Sequence, residues 1–247
     1  MTVDYSEISK RYDEYRSYND DVIKAIAETA SISHEMTVLD LGGGTGNIAL
    51  ELKKLTRAHL ICLDISPGML RKAKEKSITV LCADANNNLP FKSNSFDVII
   101  GAYVIHHINK VGVFIRECSR VLKNGRLLLL TSSHDQIENF HPVAKNFFPS
   151  CVEIEKKRFP AIDYIIYLMK IAGFNDIHYH DILIEKNEIN EEYLQRVKNK
   201  YVSTFYLVPA DEFKKGISKI ECLIRSGQNM NLPEWRGTII FGYRAIG

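Results

Sequence analysis

The chain has 247 residues, of which 45% are hydrophobic and 25% charged, and its formal net charge is +2. That balance fits one globular α/β domain and excludes a disordered or fibrous chain. No apolar run reaches the roughly 20 residues a bilayer span needs, and basic runs such as Lys156-Lys157-Arg158 are broken by acidic residues, so neither a membrane nor nucleic acid is expected as a partner.

The amino-terminal segment MTVDYSEISKRYDEYR lacks the hydrophobic region of a signal peptide, and a cytoplasmic location is the expectation. Val22, Ile23, Ile26, Ala27 and Ala30 then recur at helical spacing, with Asn19 or Asp20 as the cap. From about residue 36 to 131 short β-branched runs alternate with helical patterns, which predicts a parallel sheet wound by βαβ units. The runs are MTVLDL, HLICLD, ITVLCAD, FDVIIGAY and RLLLLTS. Between them Ile48, Ala49, Leu52 and Leu55 give one helical face. Val111, Phe114, Ile115, Cys118, Val121 and Leu122 give a longer one, which the spacing ends at an Asn124-Gly125 turn.

Beyond residue 131 come SSHDQIENFHPVAKNFFPS, a helix near 161–172 and the strand-like GFNDIHYHDILI. Residues 186–233 read as mostly helical, and WRGTIIFGYRAI closes the chain as another strand. An insertion of nearly fifty residues is too long for a hairpin, so a lid over the active-site end of the sheet is predicted. The expected fold is α/β: a Rossmann-like, seven-stranded, mostly parallel sheet with helices on both faces, the last strand antiparallel, plus this helical lid insertion. The five cysteines (Cys62, Cys82, Cys118, Cys151, Cys222) contain no CxxC pair and are expected to be reduced, buried and structural, with no metal bound.

Leu39, Asp40 and Leu41 end the first strand, and Gly42, Gly43, Gly44, Thr45 and Gly46 turn the chain into a helix starting near Asn47. A loop without side chains lets a ligand approach the backbone closely. The dinucleotide fingerprint GxGxxG needs glycine at position 47, where Asn47 stands, and no GK[ST] follows as a P-loop demands. The loop therefore suits an adenosyl ligand without phosphates. Asp64 ends the second strand twenty-two residues after Gly42, where a carboxylate can accept hydrogen bonds from both ribose hydroxyls. Read alone, it could equally be a helix cap ahead of Pro67.

Four segments in order, VLDLGGGTGNIALEL, LDISPGMLRKAKEK, ADANNNLPFKSNSFDVIIGAYVIHHI and ECSRVLKNGRLLLLTSS, make the chain resemble the class I methyltransferases. The resemblance is to the small-molecule branch that includes the ubiquinone and menaquinone C-methyltransferases and antibiotic-pathway methyltransferases, and it covers roughly residues 8–131. It implies S-adenosylmethionine as cofactor and S-adenosylhomocysteine as product. It further implies that Gly42, Gly44 and Gly46 cradle that ligand, that Asp64 binds the ribose, that Ile65 and Met69 pack on the adenine, and that Asp84 with Ala85 meets the adenine amino edge. Ala102 and Tyr103 then lie near the methionine moiety, and Tyr12 and Arg16 of YDEYR are candidates to hold its carboxylate. Where the family has Pro-Gly-Gly before its fifth strand, this chain has Asn124, Gly125 and Arg126.

On this reading residues 1–247 form a single domain: 1–33 cover the cofactor, 34–185 with 234–247 form the core, and 186–233 form the lid. A hydroxyl or ammonium acceptor must lose a proton, and His106, His107, His134 and His141 are candidate bases, the first three foremost. Aromatic residues after 131 (Phe140, Phe147, Phe148, Phe159, Tyr164, Tyr167) and in the lid (Tyr193, Tyr201, Phe205, Tyr206) suggest an apolar or planar acceptor. The expectation is a small-molecule methyltransferase, monomer or homodimer. A protein methyltransferase, a non-catalytic S-adenosylmethionine-binding module and an NAD-dependent oxidoreductase are the alternatives.

Overall fold

The computed structural model describes residues 12–15, 18–139, 144–186, 188–227, 232 and 234–245. Among these, the apolar runs become strands β1 (Thr37–Leu41), β2 (His59–Asp64), β3 (Thr79–Cys82), β4 (Phe96–Ala102), β5 (Leu122–Thr131), β6 (Phe174–Glu185) and β7 (Trp235–Arg244). They pair into one sheet in the order β3-β2-β1-β4-β5-β7-β6. The first five strands pair in parallel, and β7 runs antiparallel to both β5 and β6, so the last strand is antiparallel as the sequence predicts. The chain winds outward from β1 to β3 and then returns to place β4 on the other side of β1. A crevice opens at the carboxyl ends of the strands at such a reversal, where ligands bind in α/β sheets.

The helices are α1 (Tyr12–Tyr15), α2 (Asp20–Thr29), α3 (Asn47–Thr56), α4 (Pro67–Glu75), α5 (Val111–Val121), α6 (His134–Asn139), α7 (Ala144–Phe147), α8 (Ser150–Arg158), α9 (Ile162–Ile171), α10 (Glu191–Lys198) and α11 (Ala210–Arg225). Asn19 caps α2: its Oδ1 accepts from the Val22 N–H at 2.9 Å, and its Nδ2 donates to the Ile184 carbonyl of β6 at 3.1 Å. One face of the sheet packs on α2 and α3 through Val22, Ile26, Ala49 and Leu52, and on the segment between β6 and β7 through Leu194, Phe205 and Ile220. The other face packs on α5 through Phe114, Ile115 and Cys118 and on α9 through Ile165 and Met169. Each Val, Leu, Ile, Phe or Met among them contributes about 1.5–3 kcal/mol relative to leaving it in water.

Three sequence expectations need correction. Leu55 is 51% exposed, so the apolar face of α3 ends at Leu52. Cys82 and Cys222 are exposed, whereas Cys62, Cys118 and Cys151 are buried, and all five are free. No turn separates α5 from β5, because Val121 ends the helix and Leu122 opens the strand. Asn124 and Gly125 lie inside β5, next to an irregularity in its pairing with β4 between Phe96 and Val98. Glycine is required there for close approach, since a Cβ on Gly125 would lie 2.1 Å from the Asp97 carbonyl oxygen. The Asp97 carboxylate accepts from the Thr37 N–H at 2.8 Å and pairs with Lys123, tying β1, β4 and β5 at one corner.

No helix among the described residues is long and apolar enough to cross a membrane. Gly125→Ala must push β5 away from the β4 backbone, and overpacking of this kind costs about 1–3 kcal/mol. Thermal denaturation should show a loss of roughly 2–10 °C in a chain of this size; an unchanged midpoint would mean that the two strands tolerate a wider spacing.

Candidate functional site

The turn from β1 into α3 lies against the end of β2. Gly42 and Gly43 both donate their N–H to the Leu63 carbonyl, at 2.7 and 3.2 Å, and Gly44 donates to Asp64 Oδ2 at 3.0 Å. Gly42, Gly44 and Gly46 have φ of +67°, +56° and +75°, in the left-handed region that favours glycine. The space around them differs. A Cβ on Gly42 would lie 2.5 Å from Val104, and one on Gly46 would lie 2.9 Å from Ala73 of α4. Gly43, a free position in the GxGxG pattern, is equally constrained, with Asp40 Oδ2 2.6 Å from its would-be Cβ. Only open space lies within 4 Å of a Cβ built on Gly44. Three of these glycines thus serve packing, and Gly44 faces open space.

Asp64 fastens this loop. Its Oδ1 accepts from the Ser66 N–H at 2.8 Å while Oδ2 holds Gly44. A carboxylate offers about four lone-pair sites, so hydroxyl donors of a ligand can be added to these two bonds. Burial raises its pKa above the usual carboxylate range, against the backbone N–H groups of Ser66, Gly44 and Ile65, which lower it. The helix-cap role is taken by Ser66, with Pro67 at the first position of α4.

Beneath the loop, Asp40 is 1% exposed, and its Oδ2 has no hydrogen-bond partner among the described residues. Burial, then the charge of Asp64, pushes its pKa from 3.8 up to about 7.

The amino-terminal segment meets the loop through Asp13. Its carboxylate accepts from Thr45 Oγ1 at 2.5 Å, from Asn47 Nδ2 at 3.1 Å and from Lys76 Nζ at 2.7 Å. Lys76 also donates to the Thr45 carbonyl and to Asn47 Oδ1. Burial works against the charge of Asp13, but the hydrogen bonds from Lys76, Thr45 and Asn47 outweigh it and hold its pKa below the usual value. Of the residues expected from YDEYR, Tyr12 has its backbone in α1, while its side chain and Arg16 lie outside the described residues. Asp13 was missed because an acidic residue in a charged stretch reads as a solvated face.

Ile65, 60% exposed, follows β2 directly, and Met69 is buried in α4. Asp84 and buried Ala85 follow β3. Asp84 Oδ1 accepts from the backbone and side-chain N–H of Asn86, at 2.9 and 3.0 Å. Asn86 Oδ1 in turn accepts from the Asn109 N–H at 2.7 Å, which joins the loops after β3 and β4. Asp84 therefore has the turn chemistry of its position, and Asn86 is a linking residue that sequence reading missed.

Ala102 ends β4 half-buried, and Tyr103 follows with a φ of +52°, uncommon outside glycine. From there a cleft opens, lined by Tyr103, His106, Ser132, Phe159 and Trp235. The chain between β6 and β7 adds Val202, Ser203 and Thr204, and α8 adds Glu155. The His106 ring stacks on Phe159 with centroids 4.2 Å apart and planes 17° apart, and the His107 ring lies 4.1 Å from His106. His134 Nε2–H donates to the Phe159 carbonyl at 2.8 Å, so this histidine supports the wall behind the cleft. His106 is thus the predicted histidine that the fold brings to the cleft, while His141 and Phe140 lie outside the described residues.

The predicted aromatic residues divide. Phe159 lines the cleft; Phe147, Phe148, Tyr193, Tyr201 and Phe205 are core, and Tyr164, Tyr167 and Tyr206 are exposed. Glu155 and Trp235 were not anticipated. Glu155 sits among charged residues of a helix that shows no clean apolar stripe, and Trp235 reads as an ordinary strand residue.

Fold and site together define an α/β protein with a glycine turn fastened to the carboxyl end of β2 and a cleft beyond β4. A methyltransferase domain family matches residues 39–130. Over 149 residues the chain is 36% identical to the ubiquinone/menaquinone biosynthesis C-methyltransferase UbiE of Rhizobium rhizogenes, a match covering 52% of this chain and 57% of that protein. With the UbiE protein of Bartonella tribocorum it shares 31% identity over 181 residues, 62% of this chain and 68% of that one. A putative methyltransferase from an antibiotic biosynthesis pathway of Anabaena variabilis has the same fold, with a TM-score of 0.74 at 18% identity over 92% of this chain and 98% of that one. The chain belongs to the class I methyltransferase family. Its match spans little more than half the length of the Rhizobium relative.

Because Asp40 keeps its proton in the folded state up to about pH 7 and releases it near 3.8 when unfolded, it makes the fold less stable as pH rises between those values. Its contribution to the slope is at most about 1.4 kcal/mol per pH unit. Denaturant unfolding at pH 5 and pH 8 should show a smaller loss of stability for Asp40→Asn than for the parent chain; equal losses would mean that Asp40 is ionised throughout.

Proposed function

We propose that the chain transfers the methyl group of S-adenosylmethionine to a small-molecule acceptor, with S-adenosylhomocysteine as product. The observation that carries this is the pairing of Asp64 with Gly44: a carboxylate with acceptor capacity to spare, fastened beside the one loop glycine with open space above it. When bound, the cofactor supplies an electrophilic methyl group on a sulfonium centre. In this reading Asp64 binds the ribose hydroxyls, and Gly42, Gly44 and Gly46 keep the backbone close to the ligand. Ile65, Met69, Asp84 and Ala85 surround the adenine, Ala102 lies by the methionine moiety, and Tyr12 and Arg16 hold its carboxylate. Lys76 and Asp13 position the amino-terminal segment on the glycine loop.

His106 is the proposed general base, since it lines the cleft and an imidazole is the side-chain type most often used to take a proton from a reacting group. His134 acts through Phe159, and His107 shapes the wall beside His106. Residues 186–233 serve as the lid, which excludes water and aligns the acceptor, the two contributions a displacement of this kind most needs. Residues 1–33 cover the cofactor, and the whole is one cytoplasmic domain, monomeric or dimeric.

The nicotinamide alternative is disfavoured by Asn47. Its side chain, bonded to Asp13 and Lys76, stands where the dinucleotide fingerprint has a glycine.

Isothermal calorimetry should detect binding of S-adenosylmethionine and S-adenosylhomocysteine and much weaker binding of NAD; the reverse order would overturn the proposal. Asp64→Ala should weaken S-adenosylhomocysteine binding by about 2 kcal/mol, roughly thirtyfold. Unchanged affinity in a folded variant would remove Asp64 from the ribose.

A further inference from the structure

We propose that the exposed face of α9 is a homodimer interface, in which α9 of one copy packs antiparallel on α9 of a second about a two-fold axis at Tyr167. Ile165 and Met169 of this helix are fully buried against the sheet, whereas Tyr164, Tyr167 and Ile171 are 51%, 58% and 58% exposed. Asp163 and Lys170 are exposed as well. At about 100° per residue these five side chains fall on one face. Tyr167 lies at its centre, Asp163 and Lys170 along one edge, and Tyr164 and Ile171 along the other. A solvated helical face carries polar residues where this one carries two tyrosines and an isoleucine. The neighbouring β6, outermost strand of the sheet, adds Tyr179, also 58% exposed. Tyr179 pairs with Ile240, whose side chain lies on the α9 side of the sheet.

The charges select a second copy of the chain as the occupant. Asp163 and Lys170 stand seven residues apart, about 10.5 Å along the axis and too far to pair within one helix. Neither has an ion-pair partner among the described residues. A two-fold axis lying in the interface and crossing α9 at Tyr167 reverses the helix direction and keeps each edge on its own side. Asp163 of one copy then meets Lys170 of the other, twice by symmetry, while Tyr164 meets Ile171 and Tyr167 meets its own counterpart. A parallel pair would set Asp163 beside Tyr164 and Lys170 beside Ile171, leaving both charges unpaired. Stable dimers bury about 1,200–2,000 Å² in total, and a three-turn helix with one flanking strand supplies the low end of that range, so the association is expected to be reversible.

Sedimentation velocity of the full chain between about 1 and 200 µM should show a concentration-dependent shift from monomer to dimer. Tyr167→Glu, which brings two negative charges together at the axis, should weaken association at least tenfold. Asp163→Lys and Lys170→Asp each turn two attractive pairs into two repulsive ones and should each weaken it by about tenfold. The double variant, with the charges exchanged, should return to within about threefold of the parent. Asp163 in the first turn and Lys170 in the last also suit the helix dipole. A role confined to the helix would therefore make the double variant the least stable of the three and could not restore association, so thermal midpoints at the lowest concentration separate the two effects. A parent chain monomeric throughout overturns the proposal. So does association undiminished in folded Tyr167→Glu, or a double variant that associates no better than the single ones. The charge reversals decide the matter even where Tyr167→Glu fails to fold, and none of these outcomes bears on methyl transfer, which calorimetry with S-adenosylhomocysteine tests separately.

Discussion

The hydrogen bond from the Gly44 N–H to the Asp64 carboxylate is the contact on which the site's geometry depends. It brings the turn after β1 against the end of β2, and the neighbouring bonds from Gly42 and Gly43 to the Leu63 carbonyl hold it there. That closeness explains the run of glycines. A side chain at 42 would strike Val104, one at 43 would strike Asp40, and one at 46 would strike α4. The same compaction buries Asp40, and burial first, then the charge of Asp64, disfavours its ionised form.

From this contact outward the structure is assembled by ties between loops. Asp13 and Lys76 join the amino-terminal segment, the glycine loop and α4. Asn86 joins the loops after β3 and β4, and Arg120 with Glu117 pins the chain from Leu89 to Phe91 onto α5. The cleft beyond β4 is assembled from the ends of β4 and β5, from α8, from the chain between β6 and β7 and from the start of β7. Sequence changes there need not disturb the glycine turn, so one scaffold can carry clefts of different lining.

The fold was legible because its signals are local. Five parallel strands wear short apolar runs, and the β1–α3 turn wears its glycines on the sequence. The place of Asp64 at the end of β2 beside that turn was legible through its spacing. Asn124-Gly125 misled because a dipeptide that usually marks a turn here answers a tertiary need, the close approach of β4. Asp13, Asn86 and Glu155 were illegible for a related reason: each is a common polar residue in a polar stretch, and only the packing of distant segments gives it a partner. Leu55 and Cys82 failed in the opposite direction, since apolar character alone does not say which residues of an element the neighbours cover.

Everything proposed for the site depends on the Asp64–Gly44 corner holding an adenosyl ligand. A crystal structure of the chain grown with S-adenosylhomocysteine tests it most directly. The ribose hydroxyls should lie within hydrogen-bond distance of Asp64, with backbone of the glycine loop alongside and the adenine between Ile65 and the Asp84-Ala85 turn. A ligand bound elsewhere, or one in this crevice whose ribose makes no contact with Asp64, would contradict it.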